Sequence, residues 1–164
     1  MFKSHRHSAR ALAASHPAII VCDLDNVTVA ERGGFDQIDI ARFCAKARVD
    51  AGRDCIIKIF VNGMTEACER VWNSYGADVI RTRVNADPVI IDYLFAMERA
   101  HRVIIVSGDH AFAHAAAWHR SIGHHVSVWS RRARAAYELI FAADSVEFCI
   151  DGLLRVRRPA ARAA

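Results

Sequence analysis

The chain has 164 residues, enough for one domain with its own core and too short for two ordinary ones. With 53% hydrophobic and 24% charged residues it reads as a folded chain, and no apolar run approaches the ~20 residues needed to span a bilayer. The net charge of +4 comes from arginine, since the only lysines are Lys3, Lys46 and Lys58. Arginine grips phosphate bidentately and stacks on bases, so the excess leans weakly towards nucleic acid, although a composition biased to alanine and arginine gives the same number.

Residues 1–16 read as a basic tail. Their basic and small residues resemble a targeting peptide, but the apolar run 18–22 leads directly into the richest motif of the chain, so cleavage there would destroy it. A cytoplasmic protein is expected. A first strand spans 18–22, and the loop 23–35 holds the turn pair Gly33-Gly34. A helix follows over 36–51, closed by Gly52. Residues 55–61 form a second strand, ended by Asn62-Gly63. Thr65 caps a helix running to Tyr75. A third strand spans 78–84, and Asp87-Pro88 opens a helix to about Ala100. The fourth strand, 102–106, is nearly all apolar, as expected when both faces are covered. A helix over 112–122, a strand over 125–129, a helix over 132–142 and a short strand over 146–150 complete the domain, 17–150. Residues 151–164 read as a second basic tail. The five cysteines are odd in number and form no C-x-x-C, which fits free thiols in a reducing compartment.

Strict alternation of strand and helix implies right-handed crossovers and a parallel sheet of five or six strands, with helices on both faces. In such sheets the site lies at the carboxyl ends of strands, where the strand order switches. Asp23-Leu24-Asp25-Asn26 follows the first strand, Ser107-Gly108-Asp109-His110 the fourth, and Asp87 starts a helix. If strands one and four are neighbours, Asp23 and Asp109 sit on chains about 4.8 Å apart. Carboxylates that close repel unless a cation lies between them, and hard oxygen donors suit Mg²⁺ or Mn²⁺. Each acid also has a plain structural role open to it: Asp109 and Asp87 as helix caps, Asp23 as a loop residue. Asp92 lies about 140° around the helix from Asp87 and is expected to point elsewhere. Asn26 can hold Asp23 by hydrogen bonds. His110, His114, His119, His124 and His125 read as surface residues, and Trp72, Trp118 and Trp129 as core.

The segments IIVCDLDN, VNADPVIIDYLFAME, RVIIVSGDHAF, SIGHHVSVW and YELIFAADSVEF resemble the successive motifs of NYN domains, which are PIN-like metal-dependent ribonucleases. The resemblance covers roughly residues 18 to 150. It implies a Rossmann-like, PIN-like sheet of order 3-2-1-4-5 and an acidic Mg²⁺/Mn²⁺ site that cleaves RNA. It places the D-x-x-N motif on Asp23 and Asn26, the central acid on Asp87 and a second near Asp92. The S-G-D-x-D-F motif falls on Ser107, Gly108, Asp109 and Phe112, and A-A-D on Ala142, Ala143 and Asp144. The implied metal ligands are Asp23, Asp87 and Asp109. The family's further carboxylate is replaced by Ala111, with Asp25 or His110 as candidates to compensate. RNA would be steered by Arg81, Arg83, Arg131, Arg132 and Arg134. Asp23-Leu24-Asp25-Asn26-Val27-Thr28 also resembles the first motif of haloacid-dehalogenase-like phosphatases, in which Asp23 would be the nucleophile and Asp25 the general acid/base. A non-catalytic RNA-binding module is the third reading. The sequence leaves the choice between monomer and homodimer open.

Overall fold

The structure, a computed structural model, describes residues 17–28 and 36–154. The Gly33-Gly34 turn, residues 1–16 and the end of the C-terminal tail lie outside the described residues. Strand β1 (Ala18–Asp23) is buried at all six positions and leads into a single turn, α1 (Leu24–Val27). Helix α2 (Gln37–Ala51) starts at Asp36, whose side chain accepts from the Ile38 N–H at 3.2 Å, and stops at Gly52, whose φ of 97° only glycine adopts readily. Its buried residues Ile40, Phe43, Cys44 and Ala47 recur at helical spacing and form one stripe. Then come β2 (Ile56–Asn62), α3 (Glu66–Ser74), β3 (Ala77–Thr82), α4 (Asp87–Ala96) and β4 (Arg102–Val106). A 3-10 turn (His110–Phe112) opens into α5 (Ala113–Ser121), followed by β5 (His125–Trp129). A second 3-10 turn (Arg132–Arg134), α6 (Tyr137–Ala142), β6 (Ser145–Glu147) and α7 (Ile150–Leu153) end the described chain.

The six strands form one all-parallel sheet of order β3-β2-β1-β4-β5-β6, a Rossmann-like α/β arrangement in a single domain. Because side chains alternate across a strand, β1 feeds two cores. Ile20 and Cys22 pack with α2, α3 and α7, where Phe43 meets Trp72 and Trp129 edge-on at centroid distances of 5.5 and 6.0 Å. Ile19 and Val21 pack with α4, α5 and α6 through Ile90, Leu94, Ala115, Ala116 and Leu139. All five cysteines are free thiols. Among the described residues no helix is long and apolar enough to cross a membrane.

Five local expectations need correction. The expected helix 132–142 is split, because the Ala136 N–H donates to Gly108 O at 2.9 Å instead of to its own helix, and the chain at Ala135 and Ala136 is extended. The expected strand 146–150 is shorter, and the packed chain does not end at residue 150. Ile150 opens α7, and Ile150 and Leu154 are both buried. His119 is a core residue, not a surface one. Its Nε2 donates to Leu94 O at 2.9 Å, so in the neutral ring Nδ1 accepts from His124 Nδ1, also at 2.9 Å. Burial pushes its pKa down to about 4, so this ring is neutral at physiological pH. Trp118 is only half-buried, against Phe95.

Candidate functional site

The strand order reverses between β1 and β4, so the crevice at their carboxyl ends is the switch point of the sheet. Asp23 closes β1 opposite Phe60 of β2, and Cys22 pairs with Val106 of β4, which brings Ser107 level with Asp23. In the alternation of β1, Asp23 continues the side of Ile19 and Val21, the face covered by α4. The first turn of α4 carries Asp87. A cleft of about 410 Å³ results, lined by Asp23, Asp25, Asn26, Asn62, Val84, Asn85, Ala86, Asp87 and Asp109. Three acids expected from sequence therefore meet in one cleft, and Asp25 joins them.

Each carboxylate is already aimed by a neighbour. Asp23 accepts from the Asn26 N–H at 3.3 Å and from the Ser107 hydroxyl at 3.3 Å. Ser107 Oγ in turn accepts from the Asp109 N–H at 3.2 Å, so one hydroxyl links two acids. Asp25 accepts from the Asn62 N–H at 2.8 Å. Asp87 does not cap α4; the cap position is Ala86, and Asn85 brackets Asp87 by accepting from its N–H and donating to its carboxylate. Asp109 does act as a cap, accepting from the Ala111 N–H at 2.9 Å. The Asn26 side-chain oxygen accepts from the Gly108 N–H at 2.9 Å and ties the β1 loop to the β4 loop.

Asp23 is buried, and its pKa is pushed up to about 6, first by burial and then by the charges of Asp87 and Asp25, against the lowering effect of its two hydrogen bonds. Burial also raises Asp25. Among the described residues no group of three or more His, Cys, Asp or Glu side chains is gathered tightly enough to hold a metal ion unaided. Asp23, Asp87 and Asp109, the expected metal ligands, share the cleft as an open set. Each has an oxygen turned to an amide or hydroxyl.

The other expected residues divide. Asp92 is exposed and outside the cleft, as its angle on the helix required, and His110 is exposed with Nδ1 3.2 Å from Asp109 Oδ1. Of the two candidates to replace the acid missing at Ala111, Asp25 reaches the cleft and His110 does not line it. Arg131 is not a surface cation. It is buried, donates from Nε to Val27 O at 2.5 Å and from Nη2 to Leu154 O at 2.8 Å, and pairs with Asp151, joining the β1 loop to α7. Arg81 is paired with Glu69, Arg83 and Arg134 are exposed, and Arg132 lies over the Phe148 ring at 4.8 Å. Asp144 is structural: it caps the Val126 N–H at 2.8 Å and pairs with Arg120. Asn62 and Asn85 were not foreseen as site residues. Asn85 had a signal, since an asparagine two residues before a helix-opening aspartate is an Asx-turn pattern.

Two of these arrangements give expected results. Ser107→Ala removes a hydrogen bond to ionised Asp23, so the acidic limb of any Asp23-dependent activity should move to higher pH; an unmoved pH profile would show that the hydroxyl does not tune Asp23. Arg131→Ala leaves two buried carbonyls without their donor and should lower stability by roughly 2–3 kcal/mol, read by chemical denaturation.

No protein-family model matches the chain, and no curated protein matches it. Among solved structures, the chain is similar to a protein of unknown function from Vibrio parahaemolyticus, at 21% identity over 80% of this chain and 91% of the other, with a TM-score of 0.64. That likeness shows the fold. A looser one, at 14% identity, 82% of each chain and a TM-score of 0.45, is to a Streptomyces avermitilis protein provisionally described as a HAD family hydrolase.

Proposed function

We propose that the chain is a divalent-cation-dependent ribonuclease, a hydrolase of RNA phosphodiester bonds working in a reducing, cytoplasmic setting. The observation that carries this reading is the lining of the cleft: four aspartates and three asparagines, with no lysine, arginine or histidine among the lining residues. Above the Asp23 pKa of about 6 that concentration of charge calls for a cation. The donors are all oxygen, which fits Mg²⁺ or Mn²⁺ rather than zinc. An open set of acids is compatible with Mg²⁺ in particular, which keeps several of its waters and needs only one or two carboxylates alongside substrate phosphate.

Asp23, Asp87 and Asp109 are the residues that would hold the ion, with Asp25 adding charge at the position nearest Asn62. When bound, it would lower the pKa of an attacking water and neutralise charge on the phosphoryl oxygens. Asn26 and Ser107 keep the β1 and β4 loops in register so that Asp23 and Asp109 face one space. Arg132 and Arg134, exposed beyond β5 on the same edge, supply attraction for a polyanion. A phosphatase using Asp23 as nucleophile needs a lysine or arginine at the site to steady the aspartyl-phosphate. Lys58 is paired with Asp78, Arg81 with Glu69, Arg102 begins β4 at the opposite edge and donates to Asp50 O, and Arg83, exposed beside Val84, does not line the cleft, which counts against that alternative.

The test is incubation of the purified chain with single-stranded, duplex and transfer RNA in Mn²⁺, Mg²⁺ or EDTA. Cleavage should need metal, vanish in Asp23→Asn, and leave a generic phosphate monoester untouched. Monoester hydrolysis with phosphate trapped on Asp23 would replace this reading with the phosphatase. RNA retained but uncut would reduce the chain to a binding module.

A further inference from the structure

Helix α6 buries Leu139 and turns two aromatic rings to solvent: Tyr137 is 75% exposed and Phe141 79%. They lie four residues apart, hence on one face with about 5–6 Å between their Cβ atoms. Large exposed rings in pairs are unusual on a surface with nothing to bind. The start of this helix reaches the loop that carries Asp109. The residue before Tyr137, Ala136, donates to Gly108 O at 2.9 Å, and the Arg134 carbonyl packs directly on Gly108, next to Asp109. The far end of the helix is also fixed, since Arg120 Nη1 donates to Phe141 O at 3.3 Å while its Nε pairs with Asp144. The platform is therefore anchored at both ends.

The cations around it are available. Arg132 and Arg134 are exposed and pair with no carboxylate among the described residues, and Arg132 stacks on a third partly exposed ring, Phe148. Flat apolar rings next to guanidinium groups that pair with no carboxylate match a ligand that carries both flat faces and negative charges. A single-stranded nucleic acid is such a ligand; a duplex hides its base faces in its own stack.

We propose that α6 is a base-stacking subsite, in which successive bases of a single strand lie on Tyr137 and Phe141 while Arg134 and Arg132, in the turn that leads into the helix, take phosphates of the same strand. This rests on the reading of the cleft as a phosphodiester site and adds to it the side from which the strand arrives, across β5 and over Gly108. Stacking is tolerant of base identity, so the subsite selects for strandedness rather than sequence.

Binding of a short fluorescent oligoadenylate, measured in EDTA, tests the subsite without relying on cleavage. Tyr137→Ala with Phe141→Ala should weaken binding by about tenfold or more, with the melting temperature and the salt slope kept. Tyr137→Phe should bind like wild type, because the ring and not the hydroxyl is used. Arg132→Ala with Arg134→Ala should flatten the salt dependence. Equal affinity of wild type and the double alanine variant would overturn the subsite even if the protein cleaves RNA. So would a preference for duplex, or loss of self-association in place of loss of oligonucleotide affinity, which would assign the rings to a second copy of the chain. Failure of the nuclease reading would show instead in the metal-dependent cleavage assay, with ring-dependent binding intact.

Discussion

Asp23→Asn is expected to remove metal-dependent RNA cleavage, by roughly 10²–10³-fold or more, while leaving the fold as stable as wild type or more so at neutral pH. The two effects have one cause. The Asp23 carboxylate is buried between Ser107 and the Asn26 backbone, with the charges of Asp87 and Asp25 nearby. Its folded-state pKa of about 6 lies above the ordinary 3.8. The stability this group contributes is therefore fully present below pH 3.8 and lost as pH rises through about 6. At neutral pH keeping it ionised costs on the order of 3 kcal/mol. Asparagine carries no charge; its one oxygen can keep the bond from the Asn26 N–H, and its NH2 then faces Ser107 Oγ, which can turn to accept. The difference in unfolding free energy between variant and wild type, measured at stepped pH, should be small in acid, grow through the window from 3.8 to about 6, and level off above it. A difference that does not change with pH would show that Asp23 is not the strained carboxylate of this cleft.

Gly108→Ala should be the most damaging single-methyl change in the site. A Cβ at residue 108 would overlap the Arg134 carbonyl and come within 2.9 Å of Ser130 Oγ. The obstacle is backbone, which cannot swing aside. Both polar groups of Gly108 are also engaged: its N–H donates to Asn26 Oδ1 and its carbonyl accepts from Ala136 N–H. Relief of the overlap must separate the β4 loop from the β5–α6 connection or from the β1 loop. A loss of about 1–3 kcal/mol is expected, enough to lower the melting temperature by several degrees in a domain of this size. Cleavage and oligonucleotide binding should fall together, because Asp109 and the α6 platform are set by the same contact. Wild-type stability in the variant would mean that the connection yields freely and does not fix the two parts relative to each other.

Much of this architecture is legible in local pattern. Five apolar residues from Ala18 to Cys22, a helical stripe at Ile40, Phe43, Cys44 and Ala47, and glycine punctuation after the helices are short-range signals, and they placed Asp23, Asp87 and Asp109 at the correct edge. What local pattern lacked was long-range pairing. Nothing around Arg131 distinguishes it from Arg132, yet its partners are Val27, Asp151 and Leu154, and only the folded chain brings them together. The break in the helix expected over 132–142 has the same origin, a hydrogen bond from Ala136 to Gly108 that outcompetes a continuous helix. Asp25 was legible as a candidate, but its promotion to the cleft depends on the Asn62 N–H at the end of β2, an element its own loop does not reveal. The openness of the acid set was likewise invisible, because it depends on which oxygen each carboxylate turns to its own neighbour.

Calorimetric titration of the metal-free protein with Mn²⁺ tests the central claim most directly, since it asks whether the switch-point acids gather a cation at all. Binding should be measurable above pH 6, weaken as pH falls through the Asp23 pKa of about 6, and be lost in Asp23→Asn and Asp109→Asn while both variants remain folded. A titration without heat and without any shift in melting temperature, or an affinity unchanged in those two variants, would contradict it.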